Sequence, residues 1–420
     1  MTLRTHVTFR RALAAATAAL TLVVLGAGPS SAASWRSSVA LPVARLAATD
    51  VQVGEDGITD VTAVTGSSGS TTLTMVTVGA SSGAVPQVAW SRSKVTGDVA
   101  LVESPKGGAV VAWTRDTAVE WDDPTTLYVA ARTAGSTTWT SPTKIGLVHA
   151  GGFDLGVDRS GRYTLAYRTA TATRVLTGRP GSWAARTLRA ALPSVDLAVA
   201  PDGTAALLSV GDDSSAAVLS VASRASATGA WTAPQVVRRD ASPVFLYGTQ
   251  SVVAASGGSV TVAWSSGTGV RVASRTSTTG SWVSTTVPGW FFDLTGRSDG
   301  RVELASGAVQ VRSRAAASTT WSTPTTVATR SGVVGIDEAA GATLAATVAW
   351  VEDRGTGAPG VYVRNRSASG SWGSVRRAAD TRVEYGDVPH SFVGVARSLA
   401  GRAALVYQSP SGKVWLQRYL

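Results

Sequence analysis

Hydrophobic and polar residues alternate in short runs between residues 153 and 183, and glycine-containing turns separate the runs. Alternation with a period of two is the pattern of a β-strand. The runs predict strands over Phe153–Val157, Tyr163–Tyr167 and Thr173–Leu176, and a fourth strand beginning at Trp183. Turns at Asp158–Gly161 and Gly178–Gly181 contain the glycines that tight hairpins need. This stretch therefore predicts a four-stranded antiparallel unit.

The same unit recurs along the chain, and tryptophans mark the start of its fourth strand. They lie about 48 residues apart on average and are Trp35, Trp90, Trp139, Trp183, Trp231, Trp282, Trp321 and Trp372. Glycines mark the turns between first and second strands: Gly57, Gly108, Gly161, Gly203, Gly258, Gly300, Gly341 and Gly401. Four-stranded units that repeat at this interval are typical of β-propeller blades. The sequence therefore predicts an all-β propeller.

The two ends of the chain complete one repeat between them. Trp35 has the position of a fourth strand, but no first three strands precede it. The last repeat has strands over Phe392–Ala396, Ala403–Tyr407 and Lys413–Tyr419, and the sequence stops before a fourth. Pairing Trp35–Leu41 with Lys413–Tyr419 closes a ring of eight blades and removes the unpaired sheet edges. Seven blades is the alternative, because the first repeat is the least regular.

The first 33 residues predict a secretory signal peptide. Arg4, Arg10 and Arg11 form a positive segment, Ala12–Gly26 is apolar, and Ser31–Ala33 is a small-residue cleavage site. A twin-arginine export signal and a retained N-terminal anchor are the alternatives. Residues 34–420 lack a linker-like composition break, so we expect one mature domain, secreted and without a further membrane span. The chain has no cysteine, which excludes disulfides and thiolate metal sites.

The charge is positive but dispersed. The whole chain carries +11, and removal of the three arginines of the signal leaves +8. Only four of the 38 basic residues are lysines, and no basic run or basic-aromatic pattern indicates a nucleic-acid partner. We expect a monomer whose partner is an extracellular glycan, a cell-surface polymer or a protein.

Arginines recur at the ends of the third strands: Arg132, Arg179, Arg224, Arg275, Arg314, Arg366 and Arg418. In four repeats the arginine precedes the marking tryptophan by seven residues, as in Arg224 and Trp231. This spacing predicts a contact between guanidinium and indole at the outer edge of each blade, worth about 0.5–1 kcal/mol when exposed. The alternative is a rim of arginines that binds anions.

Aspartates recur near the starts of first strands: Asp50, Asp154, Asp196, Asp293 and Asp337. First strands of a propeller line its central channel, so these carboxylates are predicted to ring the channel mouth beside the second-to-third and fourth-to-first loops. Such a ring suits Ca²⁺, a polyhydroxylated ligand or a cation. The alternative is that each aspartate accepts backbone N–H bonds in its own or the neighbouring blade. We predict Trp121 and Trp290 as aromatic contacts on the same loops, and no required cofactor.

Three turns between third and fourth strands have related sequences: Ser226–Trp231, Ser277–Trp282 and Ser367–Trp372. They resemble the Asp-box turns of sialidase-like propellers, although the aspartate is absent and the spacing to tryptophan is one residue shorter. The repeats also resemble secreted, repeat-built bacterial propellers of uncharacterised role. A sialidase would need three convergent arginines, an acid and a Tyr–Glu pair. Glu384 and Tyr385 are adjacent in sequence, so they point apart if extended, and no arginine triad is assigned.

Three functions follow from these observations. The preferred hypothesis is a non-catalytic propeller that binds a glycan, a cell-envelope polymer or a protein through one loop face. The alternatives are a glycan-active hydrolase or lyase, sialidase-like or otherwise, and a structural envelope protein. The fold does not choose among them, because propellers carry many unrelated functions.

Overall fold

The computed structural model describes residues 34–44, 46–65, 71–81, 84–115, 124–149, 152–188, 192–213, 216–240, 250–266, 269–289, 291–341, 343–353, 359–381, 383–384, 390–391 and 393–420. The predicted signal peptide, Met1–Ala33, lies outside these residues. No helix within the described ranges is long and apolar enough to cross a membrane.

Eight four-stranded sheets, here called blades I to VIII, make up the structure. The first strand of the chain, β1 (Val39–Ala44), belongs to blade VIII. Blade I contains β2 (Leu46–Val53), β3 (Thr59–Thr65), β4 (Thr72–Val78) and β5 (Gln87–Ser93). Blade II contains β6 (Val95–Glu103), β7 (Ala109–Arg115), β8 (Thr125–Arg132) and β9 (Thr143–Val148). Blade III contains β10 (Phe153–Val157), β11 (Tyr163–Arg168), β12 (Thr173–Arg179) and β13 (Ser182–Leu188). Blade IV contains β14 (Asp196–Val199), β15 (Ala205–Asp213), β16 (Ala216–Arg224) and β17 (Gln235–Asp240).

The second half of the chain repeats this arrangement. Blade V contains β18 (Gln250–Ala255), β19 (Ser259–Ser266), β20 (Gly269–Arg275) and β21 (Val283–Val287). Blade VI contains β22 (Phe292–Gly296), β23 (Val302–Ser306), β24 (Gln310–Arg314) and β25 (Thr325–Thr326). Blade VII contains β26 (Val333–Ala340), β27 (Ala346–Glu352), β28 (Gly360–Arg366) and β29 (Arg376–Asp380). A two-stranded hairpin of β30 (Val383–Glu384) and β31 (His390–Ser391) follows. Blade VIII contains β32 (Val393–Arg397), β33 (Ala403–Gln408), β34 (Lys413–Tyr419) and β1.

The blades form a closed ring. The first strand of each blade contacts the first strands of both neighbouring blades, and β32 contacts β2 across the closure. Strand β1 pairs antiparallel with β34, with Val39 opposite Leu416. Trp35 forms a bridge with Tyr419, and their ring centroids lie 5.6 Å apart. The prediction of eight blades closed by the N-terminal strand is confirmed, and the seven-blade alternative is wrong.

Burial decreases from the second strand to the fourth. Every residue of β27 and β33 is buried, whereas β21 is exposed except for its last residue. The hydrophobic clusters span adjacent blades; one joins Val110 and Leu127 of blade II to Leu155 and Leu165 of blade III. Both faces of each blade are therefore core, which explains why second strands have almost continuous apolar sequences.

The turns between first and second strands are tight and depend on glycine. Gly203 has φ of 86°, in the region that side chains disfavour. A Cβ atom there would lie 2.6 Å from the backbone nitrogen of Ala227. These turns and those between third and fourth strands lie at one end of the ring, here called the turn face. The other connections lie at the opposite end, here called the loop face.

Candidate functional site

The predicted aspartates lie on first strands, where they connect neighbouring blades. Asp50 Oδ2 accepts a hydrogen bond from the backbone N–H of Leu101 at 3.2 Å. Asp154 Oδ2 accepts one from Leu197 at 2.7 Å, and Asp154 Oδ1 accepts one from Leu155 of its own blade at 2.8 Å. In each case the N–H of the neighbouring blade belongs to the first strand of the next blade along the chain.

Two more aspartates repeat this contact, here called the aspartate bridge. Asp293 accepts a hydrogen bond from the N–H of Glu338 at 2.7 Å, and Asp337 accepts one from Val395 at 2.8 Å. Asp196 stands at the start of β14 in blade IV. First strands have an unpaired edge toward the channel, and buried N–H groups on such an edge need acceptors. These contacts are those expected for a structural role, and a ligand-binding role for the ring stays a prediction.

The predicted loop-face aromatics cannot be placed in the same way. Trp121 and Trp290 lie outside the described residues, as does Tyr385. Of the two histidines beyond the predicted signal peptide, His149 follows β9 and His390 begins β31. The binding site predicted on this face therefore stays a prediction.

Six of the seven recurring arginines are buried and Arg179 is exposed, which corrects the expectation of contacts at an exposed outer edge of each blade. Arg224, Arg275 and Arg314 are at most 2% exposed. Each extends toward the preceding blade, a contact here called the arginine bridge. Arg224 Nη2 donates to Thr164 Oγ1 at 2.7 Å, and Arg314 Nε donates to Thr261 Oγ1 at 3.0 Å. Sequence spacing identified the arginines but not their direction, because the side-chain partner belongs to another repeat.

The predicted contact with tryptophan is present in two of the four pairs with seven-residue spacing, Arg224–Trp231 and Arg275–Trp282, and also in Arg366–Trp372, whose spacing is six. The guanidinium carbon lies 5.2 Å from the indole centroid in Arg224–Trp231, 4.5 Å in Arg275–Trp282 and 5.1 Å in Arg366–Trp372. The arginine thus lies against tryptophan of its own blade and donates hydrogen bonds to the previous one.

Two blades lack both the arginine and a polar residue at the facing position of the preceding blade. Gly178 occupies the arginine position in blade III, and the facing position in blade II is Val110. Val78 occupies it in blade I, and the facing position in blade VIII is Ala404. In these two blades the missing arginine therefore faces an apolar residue, whereas the arginine position of blade VIII, held by Tyr419, faces Thr347.

Two of the predicted arginines are displaced by one residue. Arg179 pairs with Ser182 at the hairpin end, and Tyr419, not Arg418, occupies the arginine position in blade VIII. Arg418 consequently points the other way and donates to the carbonyl oxygens of Gly79 at 2.7 Å and Ser81 at 2.9 Å in blade I.

An acidic cluster lies between blades I and II. It consists of Arg132 and three carboxylates: Asp60 at 2.8 Å, Asp56 at 3.0 Å and Glu103 at 2.7 Å. Burial and the neighbouring Asp60 carboxylate raise the pKa of Glu103 well above its usual range. Burial also raises the pKa of Asp60 although Arg132 opposes the shift. The cluster therefore has more carboxyl groups than its single guanidinium can balance.

A basic cluster lies across blades VI to VIII. It consists of Arg297, Arg366 and Arg397 with Glu303 and Glu338. Glu303 accepts hydrogen bonds from Arg297 Nη1 at 2.8 Å and Arg366 Nη2 at 2.6 Å, and the Glu338 carboxyl group is close enough to shift its pKa. Arg397 Nη1 donates to Thr347 Oγ1 at 2.7 Å. Here cations outnumber carboxyl groups.

Burial and the Glu303 carboxylate raise the pKa of Glu338 well above its usual range. Burial would also raise the pKa of Glu303, but Arg297 and Arg366 outweigh it and lower that pKa. Opposite shifts in a contacting pair indicate that Glu338 holds the proton. Burial lowers the pKa of Arg397 to about 10, and Arg297 and Arg366 add like-charge repulsion.

An axial channel joins the two clusters. It extends from the level of the aspartate bridges to the turn face. Glu55 and Glu103 line one side, and Arg297, Glu338 and Arg397 line the other. The channel walls thus carry carboxyl groups on blades I and II and guanidinium groups on blades VI and VIII.

A groove crosses the turn face beside the channel. Its lining includes Arg159, Asp202, Ser256 and Asp299, and Pro201 lines both the groove and the channel. Sequence reasoning missed this region, because its charged residues belong to separate repeats. One feature of the sequence could have indicated the neighbouring basic cluster. Glu303 and Glu338 lie within otherwise apolar strands, where carboxyl groups are rare unless they are paired.

The fold and channel define an eight-bladed β-propeller with a polar axial channel. No family model matches the chain, and no curated protein matches it. The β-propeller domain of the Trilobed protease from Pyrococcus furiosus is similar, with 10% identity, coverage of 80% of this chain and 98% of that chain, and a TM-score of 0.46. The Aleuria aurantia lectin has 11% identity, coverage of 78% and 92%, and a TM-score of 0.40. An alpha-L-arabinofuranosidase of Fusarium graminearum has 12% identity, coverage of 62% and 88%, and a TM-score of 0.35. The assignment of eight blades rests on the strand order of this chain.

Proposed function

We propose that this protein is a secreted, non-catalytic propeller that binds a glycan or another cell-envelope polymer. The supporting observation is the connection between the groove and the channel on the turn face at Pro201. An elongated polymer can lie along such a groove while one of its substituents enters the channel. The lining combines carboxyl, hydroxyl and guanidinium groups, which suit recognition of hydroxyl-rich ligands.

The turn face replaces the loop face as the preferred location of the site. On the loop-face side, four aspartates already use a carboxylate oxygen to accept a hydrogen bond from the neighbouring blade: Asp50, Asp154, Asp293 and Asp337. The groove residues are instead on the ends of hairpins, where Ser160 is exposed and Ser256 is half-buried. Groups in this setting reach a ligand without disrupting the contacts between blades.

The proposal is tested by binding to an array of neutral and acidic glycans and to cell-envelope preparations, with a Ser256→Trp variant. The indole would occupy the groove, so we expect binding to fall at least about tenfold. Ser411→Trp is the matched control, because Ser411 is an exposed serine on the loop face. Loss of binding only in Ser411→Trp would place the site on the loop face and contradict the proposal.

The same panel tests the other functions. Release of products from any bound glycan would indicate the hydrolase or lyase alternative. Capture of a protein but no polymer would indicate a protein-binding propeller. Binding to neither would favour the structural envelope role.

A further inference from the structure

Three guanidinium groups from three blades converge on one segment of blade VII, Leu344–Thr347. Arg297 Nη1 donates to the carbonyl oxygen of Ala345 at 3.3 Å. Arg366 Nε donates to that of Leu344 at 2.6 Å, and Arg397 Nη1 donates to Thr347 Oγ1 at 2.7 Å. The segment thus brings together arginines that lie far apart in sequence.

The carboxyl groups beside these arginines do not balance them. Glu303 accepts hydrogen bonds from both Arg366 and Arg297. Glu303 and Glu338 are two carboxyl groups against the three guanidinium groups, and burial raises the pKa of Glu338, which reduces the negative charge further. The basic cluster therefore buries an excess of positive charge, and such an excess is costly unless an anion approaches.

Several buried donors of this cluster have no hydrogen-bond partner, and they belong to residues that line the channel. Among the described residues, Nε and Nη2 of Arg297, Nε of Arg397 and Oγ of Ser398 have no hydrogen-bond partner. All three residues line the channel, and Arg297 and Ser398 are 1% and 3% exposed. Asp299 Oδ1 lies 3.9 Å from Arg297 Nε, beyond hydrogen-bond distance. Buried donors without acceptors destabilise a protein unless a ligand completes them.

We propose that Arg297, Arg397 and Ser398 form an oxyanion-binding site in the channel wall. Guanidinium groups are the preferred partners of carboxylate and phosphate, because their N–H donors match two oxygens at once. The assignment deepens the proposed function, on which the choice of ligand rests: the oxyanion is a carboxylate or phosphate substituent of the bound polymer. Asp299 lies in the groove and Arg297 in the channel beside it, so a polymer in the groove would place its acidic substituent at this site.

The opposite wall of the channel lacks these properties. Ser104 occupies the position in the turn of blade II that Ser398 occupies in blade VIII, since each N–H donates to the residue four positions later. Ser104 Oγ, however, already accepts a hydrogen bond from the N–H of Lys106 at 3.1 Å. Ser104 is therefore a matched control for Ser398.

The test is calorimetric titration of the purified full-length protein with inorganic phosphate and with acetate, against sodium chloride at equal ionic strength. We expect saturable binding of at least one oxyanion, and the preferred one distinguishes a phosphate from a carboxylate substituent. Ser398→Ala removes one neutral hydrogen bond and should weaken binding about threefold to tenfold. Arg397→Gln removes a charged donor and should weaken it more than about tenfold. Ser104→Ala should leave the affinity unchanged.

Absence of saturable binding of both oxyanions would overturn the site, and so would equal affinity in wild type and Ser398→Ala. The Ser398→Ala variant keeps the test valid if Arg397→Gln fails to fold. Phosphate binding without polymer binding would support the site and refute the proposed function. If neither oxyanion binds and the polymer binds equally well to wild type and to Arg397→Gln, the oxyanion site is refuted and the proposed function is supported.

Discussion

The interface between blades I and II and the interface between blades VI and VII differ in their buried ionisable groups. Carboxyl groups are in excess at the first, and guanidinium groups are in excess at the second. Both have an arginine bridge to a carboxylate at the same position of the second strand: Arg132 to Asp60, and Arg366 to Glu303. The acidic cluster adds Asp56 and Glu103 around its one arginine. The basic cluster adds two more arginines and a protonated carboxyl group. One repeated contact thus supports two environments, because the turns beside it differ.

The difference shows which residues connect the blades and which are available to a ligand. In the acidic cluster the single arginine already has three acidic partners, and its role is to hold two blades together. In the basic cluster Arg366 has that role, while Arg297 and Arg397 line the channel and keep buried donors without a hydrogen-bond partner.

Breaking the acidic cluster should have the largest effect. Arg132→Ala would leave Asp60 and Glu103 buried without their cation, and we expect a loss of about 3–5 kcal/mol in the free energy of unfolding. Urea denaturation at neutral pH measures it. The exposed Arg377→Ala is the control, since its ion pair with Asp380 is a surface contact. A loss below about 1 kcal/mol in Arg132→Ala would refute a structural role for the cluster.

The protonated carboxyl groups should make stability depend on pH, with a smaller effect. The pKa of Glu338 and that of Glu103 are raised in the folded protein, so the folded state holds protons that the unfolded chain releases above pH 4.5. The free energy of unfolding should therefore fall as pH rises from about 4.5 through the folded-state pKa values. Glu338→Gln mimics the protonated group and should flatten this fall. Denaturation curves between pH 4 and 9 test it, and an unchanged slope in Glu338→Gln would contradict the assignment of the proton.

The aspartate bridges should contribute at each interface. Asp154→Ala leaves the N–H groups of Leu155 and Leu197 without their acceptor, and we expect a loss of about 1–3 kcal/mol. Thermal melts with and without Ca²⁺ separate this role from a metal ring, and Asp196→Ala serves as a second probe. A rise in the wild-type melting temperature with Ca²⁺ that the variants lack would instead establish a metal site.

The smallest effect should come from an arginine bridge to a hydroxyl group. Arg224→Ala should cost about 1–2 kcal/mol, because it removes buried hydrogen bonds to Thr164 and Thr177 as well as the indole contact. Arg92 lies 5.7 Å from the Trp90 centroid but is exposed, so Arg92→Ala should cost less than about 1 kcal/mol. Equal losses in the two variants would show that burial adds nothing to the contact.

The sequence was sufficient for the architecture but not for the site. The alternation of strands, the tryptophan spacing and the unmatched Trp35 predicted eight blades and their closure, because each signal is local or repeats at a fixed interval. The direction of Arg224 and the convergence of Arg297 with Arg397 were not predictable, since they depend on how neighbouring blades face each other. The displacement at Arg418 shows the same limit: one residue changes the blade that an arginine contacts.

Anomalous diffraction from crystals of the protein soaked in selenate, a heavy oxyanion, tests the contrast between the two channel walls most directly. The basic cluster should hold a selenate ion within hydrogen-bond distance of Arg297 and Arg397, and the Ser398→Ala variant should show a weaker peak there. No peak should lie beside Glu103. A channel without a selenate peak at the arginines, or with one beside Glu103, would contradict the assignment of the anion site.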